Sequence, residues 1–514
     1  RKPGTVGGRS EVGQATQRHW AGDLEEAQRV HQLGNAFRTQ GRMDQAMAHY
    51  ERALSLNPDF ADAHNNLGLA LAAQGRIDQA AAHYERALAL KPDYAEAHNN
   101  LGSAFRAQGK PDQAVAHYER ALTLNPDYAL VHNNLGNALA LQGRIDQAVA
   151  HYERALALKP DFTGAHNGLL FALNYLSDKN PEAVYTAHLD FARRWEAPSA
   201  KFIQPHSNDR SRERRLRIGY VSSDFRQHSV GYFIEPVLAH HDHARFEIFC
   251  YANHLQEDAV TARLKAHADH WRRLIGVSDE QAANRIRADQ IDILIDLNGH
   301  MGGNRLLVFA RKPAPVQVTW LGYPTTTGLS AMDYRLTDGF ADPPGMTEHL
   351  HSEKLVRLPE CFSCYRPPSD APEVSGLPAR AQGYVTFGSF NNLAKINREV
   401  MAVWAKILLA VPGARLTLKN TGLGGGTVQQ RVREIFRGLG VAPARLALLG
   451  PDSSPRAQLE RYGSMDIGLD PFPYNGATTT CEALWMGVPV VALAGQTHAG
   501  RVGVSQLSNL KLTE

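Results

Sequence analysis

A stretch near the C-terminus holds residue types that can bind a phosphorylated ligand. Residues 473–491 read Pro-Tyr-Asn-Gly-Ala-Thr-Thr-Thr-Cys-Glu-Ala-Leu-Trp-Met-Gly-Val-Pro-Val-Val. The apolar run 465–469 predicts a strand before them, and Thr478, Thr479 and Thr480 stand where a helix must begin. A helix N-terminus offers unpaired N–H groups and the positive end of a dipole, so it favours phosphate.

Glu482 adds a carboxylate to this predicted helix start. We predict it inside the first turn, where it could accept hydrogen bonds from two neighbouring hydroxyls, as on a ribose. Together with the threonines it predicts half of a nucleotide-diphosphate site. The alternative is an N-capped helix with an acidic first turn, which is a common arrangement. The stretch alone fits both interpretations, and the rest of the chain separates them.

Further candidates follow other runs that predict strands. His228 follows the run 216–221 and leads into a predicted helix, where a histidine can act as a general base near neutral pH. Lys395 follows a later predicted strand and is placed to pair with a diphosphate. Gly-rich loops at 298–303 and 321–328 also end strands. Each feature alone is more often a solvated lysine or a helix cap, but their coincidence at strand ends predicts a site.

The sequence predicts two sets of strands alternating with helices, and these elements would hold the candidate residues in place. The predicted strands are 216–221, 246–252, 292–297 and 316–321 in the first set, and 384–387, 414–419, 445–449, 465–469 and 488–493 in the second. A Pro-rich connector at about 359–378 separates the sets. This pattern predicts two doubly wound α/β domains, 215–370 and 371–514, with a cleft between them and ligands at the carboxyl ends of the strands.

Between about residue 29 and residue 164 the sequence repeats with a period of 34 residues. The recurring positions are Leu33, Leu67, Leu101, Leu135 and Leu169, then Tyr50, Tyr84, Tyr118 and Tyr152, and a closing Pro58, Pro92, Pro126 or Pro160. This spacing resembles the tetratricopeptide repeat, in which pairs of helices stack into a superhelix. We expect the repeat array at residues 29–175, a helical or flexible segment at 1–28 and a helical linker at 176–214.

Asn66, Asn100 and Asn134 recur on the first helix of successive repeats, near the inner wall of the predicted superhelix. Asparagine can both donate to and accept from a peptide backbone, so the three predict a ladder that binds an extended acceptor polypeptide. The alternative is that duplication of the repeat carried them along without a role. The recurring histidines also stand 34 residues apart, and we interpret them as repeat positions and not as metal ligands.

The composition restricts the class of partner. The 514 residues carry 55 basic and 52 acidic side chains, a net charge of +3, which favours neither nucleic acid nor an anionic membrane. No apolar run reaches the length of a membrane span, and no signal-peptide core follows the basic start. We therefore expect a cytoplasmic protein.

Several independent motifs resemble the O-linked N-acetylglucosaminyltransferase family. They are Leu216-Arg-Ile-Gly-Tyr-Val-Ser-Ser-Asp-Phe225, Lys312-Pro-Ala-Pro-Val-Gln317, Trp320-Leu-Gly-Tyr-Pro324, Phe390-Asn-Asn-Leu393 with Lys395, and Asn475-Gly476 with Thr478-Thr479. The resemblance implies a tetratricopeptide superhelix followed by a GT-B fold of two Rossmann-like domains. It also implies transfer of GlcNAc from UDP-GlcNAc to Ser or Thr hydroxyls of proteins, with inversion and without a metal or other cofactor. The absence of a long insert between the two halves is typical of a bacterial member.

The resemblance assigns roles to single residues. The catalytic residues are His228 as general base, His270 as a second active-site histidine, and Lys395 on the phosphate. The nucleotide-sugar-binding residues are Asn392, Lys395, Arg461, Asn475, Thr478, Thr479, Thr480, Glu482, Tyr323 and Pro324. Ala477 departs from the family pattern, which has a histidine there, and Glu482 stands in place of an aspartate on the ribose.

Two other functions stay open at this point. One is a UDP-glucose-dependent protein glycosyltransferase, because a change in pocket contacts can switch the donor. The other is a non-catalytic scaffold that binds a UDP-sugar beside its repeats. GT-B enzymes usually end with helices that cross back to the first domain, so we also expect further residues at the C-terminus.

Overall fold

The computed structural model describes residues 10–513, with side chains from residue 22 onward. Part of the predicted N-terminal segment, residues 1–9, lies outside the described residues. The chain divides into two compact units, with the boundary between Leu139 and Ala140. Within residues 10–513, no helix combines the length and the apolar composition that a membrane span requires.

Helices follow one another in the repeat region as the 34-residue period predicts. They are α1 (Ser10–Thr39), α2 (Met43–Leu56), α3 (Ala61–Ala73), α4 (Ile77–Leu90), α5 (Ala95–Ala107), α6 (Pro111–Leu124), α7 (Ala129–Leu141), α8 (Ile145–Leu158) and α9 (Thr163–Leu173). Gly41, Gly75, Gly109 and Gly143 end the first helices with φ between 70° and 78°. Glycine adopts this left-handed conformation without steric cost, so it closes each turn.

A glycine of the first helix lies against a tyrosine of the second helix within one repeat. A Cβ atom at Gly68 would lie 2.6 Å from Cε1 of Tyr84, and one at Gly102 would lie 2.8 Å from the same atom of Tyr118. Both tyrosine side chains are fully buried. Only glycine therefore lets the two helices of a repeat approach this closely.

The region after the repeats begins with α10 (Pro181–Trp195), which lies in the predicted helical linker. The first sheet then contains β1 (Leu216–Ser222), β2 (Phe246–Ala252), β3 (His270–Arg273), β4 (Ile293–Asp296), β5 (Val316–Thr319), β6 (Tyr334–Asp338) and β7 (Lys354–Leu358), with α11 (Ser229–Ala239), α12 (Ala259–Ala266), α13 (Asp279–Ala288) and α14 (Leu306–Phe309) between them. The strand order is β3-β2-β1-β4-β5-β6-β7, and all pairs are parallel.

Side chains on both faces of this sheet are buried. On β2, Phe249 and Tyr251 belong to one hydrophobic cluster, whereas Ile248 and Cys250 belong to another. Successive residues of a strand point to opposite faces, so two cores on one strand mean that the sheet is covered on both sides. This is the doubly wound arrangement that the alternating pattern predicts.

The second sheet is smaller and also parallel. Its elements are α15 (Pro378–Gln382), β8 (Thr386–Ser389), α16 (Arg398–Ala410), β9 (Arg415–Lys419), α17 (Gly426–Gly438), β10 (Leu446–Leu449), α18 (Pro455–Tyr462), β11 (Ile467–Leu469), α19 (Thr478–Trp485), β12 (Val490–Val491) and α20 (Val502–Asn509). The strand order is β10-β9-β8-β11-β12. Two parallel α/β sheets after a helical repeat array confirm the predicted fold class.

Candidate active site

Both sheets reverse their strand order beside their first strand. In the second sheet, β9 and β10 lie on one side of β8, and β11 and β12 lie on the other. In the first sheet, β2 and β3 lie on one side of β1, and β4 to β7 lie on the other. Open α/β sheets bind ligands at such switch points, outside the carboxyl ends of the strands. The loops there carry Lys395 after β8, Thr478 after β11 and His228 after β1.

Helix α19 begins at Thr478, as predicted. Its first helical hydrogen bond runs from the Cys481 N–H to the Ala477 carbonyl at 3.1 Å, so the N–H groups of Thr478, Thr479 and Thr480 precede the helical ladder. Ala477 at the N-cap position supplies no side-chain hydrogen bond. This helix start can therefore donate backbone hydrogen bonds to an anion.

Gly476 lies in a crowded corner just before the helix. A Cβ atom there would lie 2.7 Å from the hydroxyl oxygens of Thr479 and Thr480 and 2.8 Å from Oδ1 of Asp470. The Gly476 N–H donates to the same Asp470 oxygen at 2.7 Å, and the Thr479 hydroxyl donates to Oδ1 of Asn391 at 3.0 Å. The loop after β8 and the loop after β11 are thus joined at the helix start.

Lys395 lies on the opposite side of this switch point. Its Nζ donates to the carbonyl of Asn475 at 2.6 Å and lies 3.8 Å from the centre of the Tyr474 ring. Burial lowers the pKa of Lys395, whereas the nearby Asp470 carboxylate raises it. The lysine ammonium therefore lies beside the loop that leads into α19, where a diphosphate would find both cation and helix start.

Asn392 and Asn475 hold these loops in shape. The Asn392 side chain caps a short turn by accepting a hydrogen bond from the Ala394 N–H at 3.1 Å. Asn475 is fully buried, and its side chain donates to the Pro471 carbonyl at 3.0 Å and accepts from the Gly503 N–H at 3.3 Å. The Asn475 side chain is thus committed within the protein, and its carbonyl is the group that contacts Lys395.

Glu482 is the fifth residue of α19 and so lies beyond the first turn, which corrects its predicted place. Its Oε2 accepts hydrogen bonds from Gln458 at 2.8 Å and from the Tyr462 hydroxyl at 2.9 Å. Burial raises the pKa of Glu482, although both donors and Lys419 act in the opposite direction. These two hydrogen bonds hold the Glu482 carboxyl group in one orientation, about one turn after the start of α19.

Arg461 is tied to Glu482 through a chain of polar side chains. Its guanidinium donates to Asp452 at 2.7 Å, and Asp452 forms an ion pair with Lys419 at 2.9 Å. Lys419 donates to Gln458, which in turn donates to Glu482. Arg461 keeps about half of its side chain exposed (45%), so its outer part is available to a ligand.

The sequence interpretation missed several residues of this site. Lys419 ends β9 and Asp470 follows β11, so the rule that ligands bind at carboxyl strand ends could have found both. Asn391 lies one residue from the predicted Asn392. Gln458 and Tyr462 had no comparable signal, because only tertiary packing decides which face of α18 meets Glu482.

His228 lies at the switch point of the first sheet and caps α11. Its Nδ1 accepts a hydrogen bond from the Val230 N–H at 3.3 Å and lies 3.8 Å from Oδ1 of Asp224. Asn298, which follows β4, donates to the other oxygen of Asp224 at 2.8 Å. Burial lowers the pKa of His228, while Asp224 raises it. A neutral His228 with this bond carries its proton on Nε2, which makes that nitrogen a donor.

His270 is not brought to this site. It begins β3 and pairs in register with Phe249, on which its ring stacks at 4.2 Å. Its Nε2 contacts Glu247 at 2.8 Å, near the amino end of β2. A residue at the amino side of a parallel sheet lies away from the carboxyl edge that binds ligands. The geometry therefore gives no support to the catalytic role implied for His270.

Tyr323 and Pro324 are buried in the protein interior. The Tyr323 hydroxyl lies 2.8 Å from Nε2 of His188 and accepts a hydrogen bond from Asn174 at 3.2 Å. The side chain thus joins the loop after β5 to the helical linker. The hydroxyl is thus engaged within the protein, and the role of Tyr323 and Pro324 in binding the nucleotide sugar stays a prediction.

The recurring asparagines form a ladder within the repeat array. Nδ2 of Asn100 donates to Oδ1 of Asn65, and Nδ2 of Asn134 donates to Oδ1 of Asn99, each at 2.9 Å. Nδ2 of Asn66 instead contacts two residues of α1, Nε2 of His31 at 2.8 Å and Oδ1 of Asn35 at 2.9 Å. The predicted peptide-binding residues stay half-buried, whereas Asn65 and Asn99 are buried. The ladder therefore has a structural role, which neither interpretation of the sequence included.

Comparisons with known proteins identify the second unit. Residues 166–365 and 372–514 match glycosyl transferase family 41. The chain belongs to glycosyl transferase family 41. Residues 34–75, 59–127 and 93–161 match tetratricopeptide repeat families.

This family 41 chain resembles both plant and bacterial proteins. It is 45% identical over 347 residues to the probable UDP-N-acetylglucosamine–peptide N-acetylglucosaminyltransferase SPINDLY of Petunia hybrida, covering 67% of this chain and 37% of that protein. It is 35% identical to the protein of the same description named SEC of Arabidopsis thaliana, covering 62% of this chain and 34% of the relative. The chain thus spans little more than a third of the length of these curated relatives.

A solved structure shares the fold of this family 41 chain over most of its length. It is a lysine-to-methionine mutant of the Thermobaculum terrenum O-GlcNAc transferase, with 41% identity and a TM-score of 0.84. The match covers 88% of this chain and 86% of the other. A bacterial source and a cytoplasmic location for this chain stay predictions from its sequence.

Proposed function

We propose that this chain transfers GlcNAc from UDP-GlcNAc to Ser or Thr hydroxyls of proteins, with inversion at the anomeric carbon. The observation that supports the proposal is the switch point of the second sheet, where Nζ of Lys395 donates to the carbonyl of Asn475, three residues before α19 begins. Glu482 lies about a turn further along the same helix, where it could accept hydrogen bonds from a ribose beside the diphosphate. The names of the family relatives support the same donor and acceptor.

The proposed reaction is a direct displacement by a protein hydroxyl at the anomeric carbon. Negative charge develops on the leaving UDP in the transition state. Lys395 and the N–H groups of Thr478, Thr479 and Thr480 would stabilise this charge in place of a metal ion. Preorganised donors of this kind act strongly in a cleft from which water is excluded.

The repeat array supplies the acceptor polypeptide in this proposal. Asn100 and Asn134 each use one Nδ2 hydrogen in the bond to the preceding repeat. A second Nδ2 hydrogen remains on each of these two amides, because an Asn side chain has two donors. Asn100 and Asn134 could therefore contact a peptide backbone while the ladder stays intact, whereas Asn66 would have to release His31 or Asn35.

Calorimetric titration of UDP, UDP-GlcNAc and UDP-glucose into wild type and Lys395→Ala tests the proposal. We expect wild type to bind UDP and to prefer UDP-GlcNAc over UDP-glucose, and Lys395→Ala to bind all three more weakly. The control is Lys406→Ala, which removes an exposed lysine of α16 and should bind UDP as wild type does.

Each other result would select an alternative. Preference for UDP-glucose would replace the donor sugar but keep the enzyme class. UDP binding without UDP release in the presence of acceptor protein would favour the non-catalytic scaffold. Equal UDP binding by wild type and Lys395→Ala would contradict the proposed phosphate site.

A further inference from the structure

A cavity of about 280 Å³ opens beside the proposed phosphate site. Three parts of the chain line it: residues 173–185 of the helical linker, the loops after β5 and before β7 in the first domain, and residues 473 and 495–499 of the second domain. Its wall includes Thr326, His351, Thr497 and His498. The cavity thus lies where the helical linker and both sheets meet, with polar side chains in its wall.

A buried ion pair forms part of this wall. Nδ1 of His498, from the second domain, lies 2.6 Å from Oδ2 of Asp342, from the first domain. The other oxygen of Asp342 accepts a hydrogen bond from the Thr347 hydroxyl at 2.7 Å. His351 also lines the cavity, and it lies between two carboxylates, with Nε2 at 3.6 Å from Oδ1 of Asp342 and Nδ1 at 4.0 Å from Oε2 of Glu353.

The hydrogen bond to Asp342 determines where the proton of His498 lies. A carboxylate can only accept, so Nδ1 of a neutral His498 carries the proton and Nε2 keeps its lone pair. Nε2 makes no hydrogen bond to any residue that the structure describes. His228 shows the opposite arrangement, because its Nδ1 accepts from a backbone N–H. Of the two histidines, His498 is the one in the protonation state of a general base.

The chain connects this histidine directly to the phosphate site. The carbonyl of Ala499, next to His498, accepts a hydrogen bond from the Asn475 N–H at 2.9 Å. The carbonyl of Asn475 accepts from Nζ of Lys395 at 2.6 Å. Pro473 of the same loop lines the cavity. The cavity and the proposed diphosphate position are therefore separated by one loop.

We propose that His498, oriented by Asp342, takes the proton from an acceptor hydroxyl that enters this cavity. The inference rests on the proposed function and adds a proton acceptor to it. The O–H bond of the acceptor breaks and its proton moves to Nε2, while the oxygen bonds to the anomeric carbon. The bond from that carbon to the β-phosphate oxygen breaks, and its electron pair leaves with UDP. His498 then returns the proton to solvent.

The charged groups around His498 set the expected pH dependence. Burial lowers the pKa of His498, Asp342 raises it, and Arg335 and His351 lower it. Burial opposes ionisation of Asp342, but the two histidines outweigh burial and hold its pKa well below the usual range. The transfer rate should therefore fall with decreasing pH as His498 becomes protonated. Without the Asp342 carboxylate this fall should move to lower pH.

Steady-state UDP release with an acceptor protein, measured against pH, tests the inference in the full chain. We expect His498→Gln to lower kcat about 10²–10⁴-fold, the usual contribution of a general base, while UDP binding stays unchanged. We expect Asp342→Asn to lower kcat and to shift the acid limb of the pH profile to lower pH. A structural role alone would not move that limb, so this variant also serves if His498→Gln fails to fold.

Two further variants complete the comparison. His243→Gln is the matched control, because it breaks a half-exposed histidine–aspartate pair of similar geometry, His243 Nδ1 to Asp269 at 3.0 Å, away from the cavity. It should turn over as wild type does. His228→Gln keeps a side-chain donor and should raise KM more than it lowers kcat.

Specific results would overturn the inference. A normal kcat in His498→Gln would by itself overturn the inference. A large loss of kcat in His228→Gln together with normal turnover in His498→Gln would also overturn it. An acid limb that stays in place in Asp342→Asn would also overturn it. No UDP release by wild type would remove the inference together with the proposed function, and UDP titration distinguishes that case.

Discussion

Glu482 shows how burial controls the chemistry of a single carboxyl group. Its Oε2 accepts two hydrogen bonds, and burial raises its pKa above the ordinary value for glutamate. Above this pKa the ionised group would accept hydrogen bonds from ribose hydroxyls, and below it the protonated group would accept weaker ones through its remaining carbonyl oxygen. UDP affinity should therefore decrease as pH falls through the raised pKa.

Calorimetric titrations of UDP between about pH 5 and pH 8 would measure this dependence. Glu482→Gln is neutral throughout, so it should bind UDP more weakly at neutral pH, by about 1.5–3 kcal/mol for a hydrogen bond to a charged group. The difference between the two proteins should shrink as pH falls. A constant difference across the range would contradict the role of the carboxylate.

Substitution of Gly476 by alanine tests the same site, because it adds a single methyl group. A Cβ atom there meets two threonine hydroxyls and the Asp470 carboxylate within 2.8 Å, so Gly476→Ala has to displace part of the helix start. We expect a loss of about 1–3 kcal/mol in stability and weaker UDP binding. Thermal unfolding and UDP titration measure both, with Gly438→Ala, which meets no atom within 4 Å, as the control.

Single residues differ in how far the sequence could place them. Thr478 was placed correctly, because a polar run after an apolar strand marks a helix start by local chemistry. The contact of the Tyr323 hydroxyl with His188 could not be predicted, because the two residues are 135 positions apart in the chain and no local pattern joins them. Lys395 is at a switch point, although its contact with Asn475 could not be foreseen.

The close contact between the two helices of one repeat leads to a prediction about stability. Gly68→Ala would place its Cβ 2.6 Å from a ring atom of the buried Tyr84, which cannot move without opening its own repeat. We expect the melting transition of the repeat array to lose about 1–3 kcal/mol in stability, as in other overpacked cores. Circular dichroism during heating measures the loss of helix. A melting curve equal to that of wild type would show that the two helices separate freely.

The strands were predicted unevenly, and the reason lies in their composition. β1, β2 and β9 each contain an uninterrupted run of at least three uncharged residues, and their predicted bounds differ from the observed ones by at most one residue. β3, β6 and β7 were missed, because charged residues leave no more than two uncharged residues in a row in each of them. These strands lie towards the edges of the first sheet, where one flank or face is less covered.

The arrangement of the two domains within the second unit depends on contacts that no sequence pattern predicts. Helix α20, the last helix of the second domain, reaches the first domain, where Ser505 donates to Asp338 at the carboxyl end of β6. Arg501 donates to the carbonyl of Phe340 at 2.9 Å. The sequence predicted two domains with a cleft, but the residues that close it lie more than 160 positions apart.

The proposed transfer should proceed without a metal ion if the groups of this chain stabilise the leaving UDP. We expect UDP release and transfer to an acceptor protein to be the same with and without excess EDTA, because Lys395 and the α19 start supply the positive charge. A stepwise dialysis assay with and without added Mg²⁺ checks this. Activity that EDTA abolishes and Mg²⁺ restores would contradict the proposed charge stabilisation.

The two recurring contacts of the repeat array differ in their reach along the chain. The glycine–tyrosine contact joins residues 16 positions apart within one repeat, and the asparagine ladder joins residues 35 positions apart in neighbouring repeats. A gain or loss of one whole 34-residue unit leaves both contacts possible at the new junction. Array length can therefore change by recombination between units without new compensating mutations, and the span of polypeptide that the array accommodates can evolve separately from the chemistry of the catalytic half.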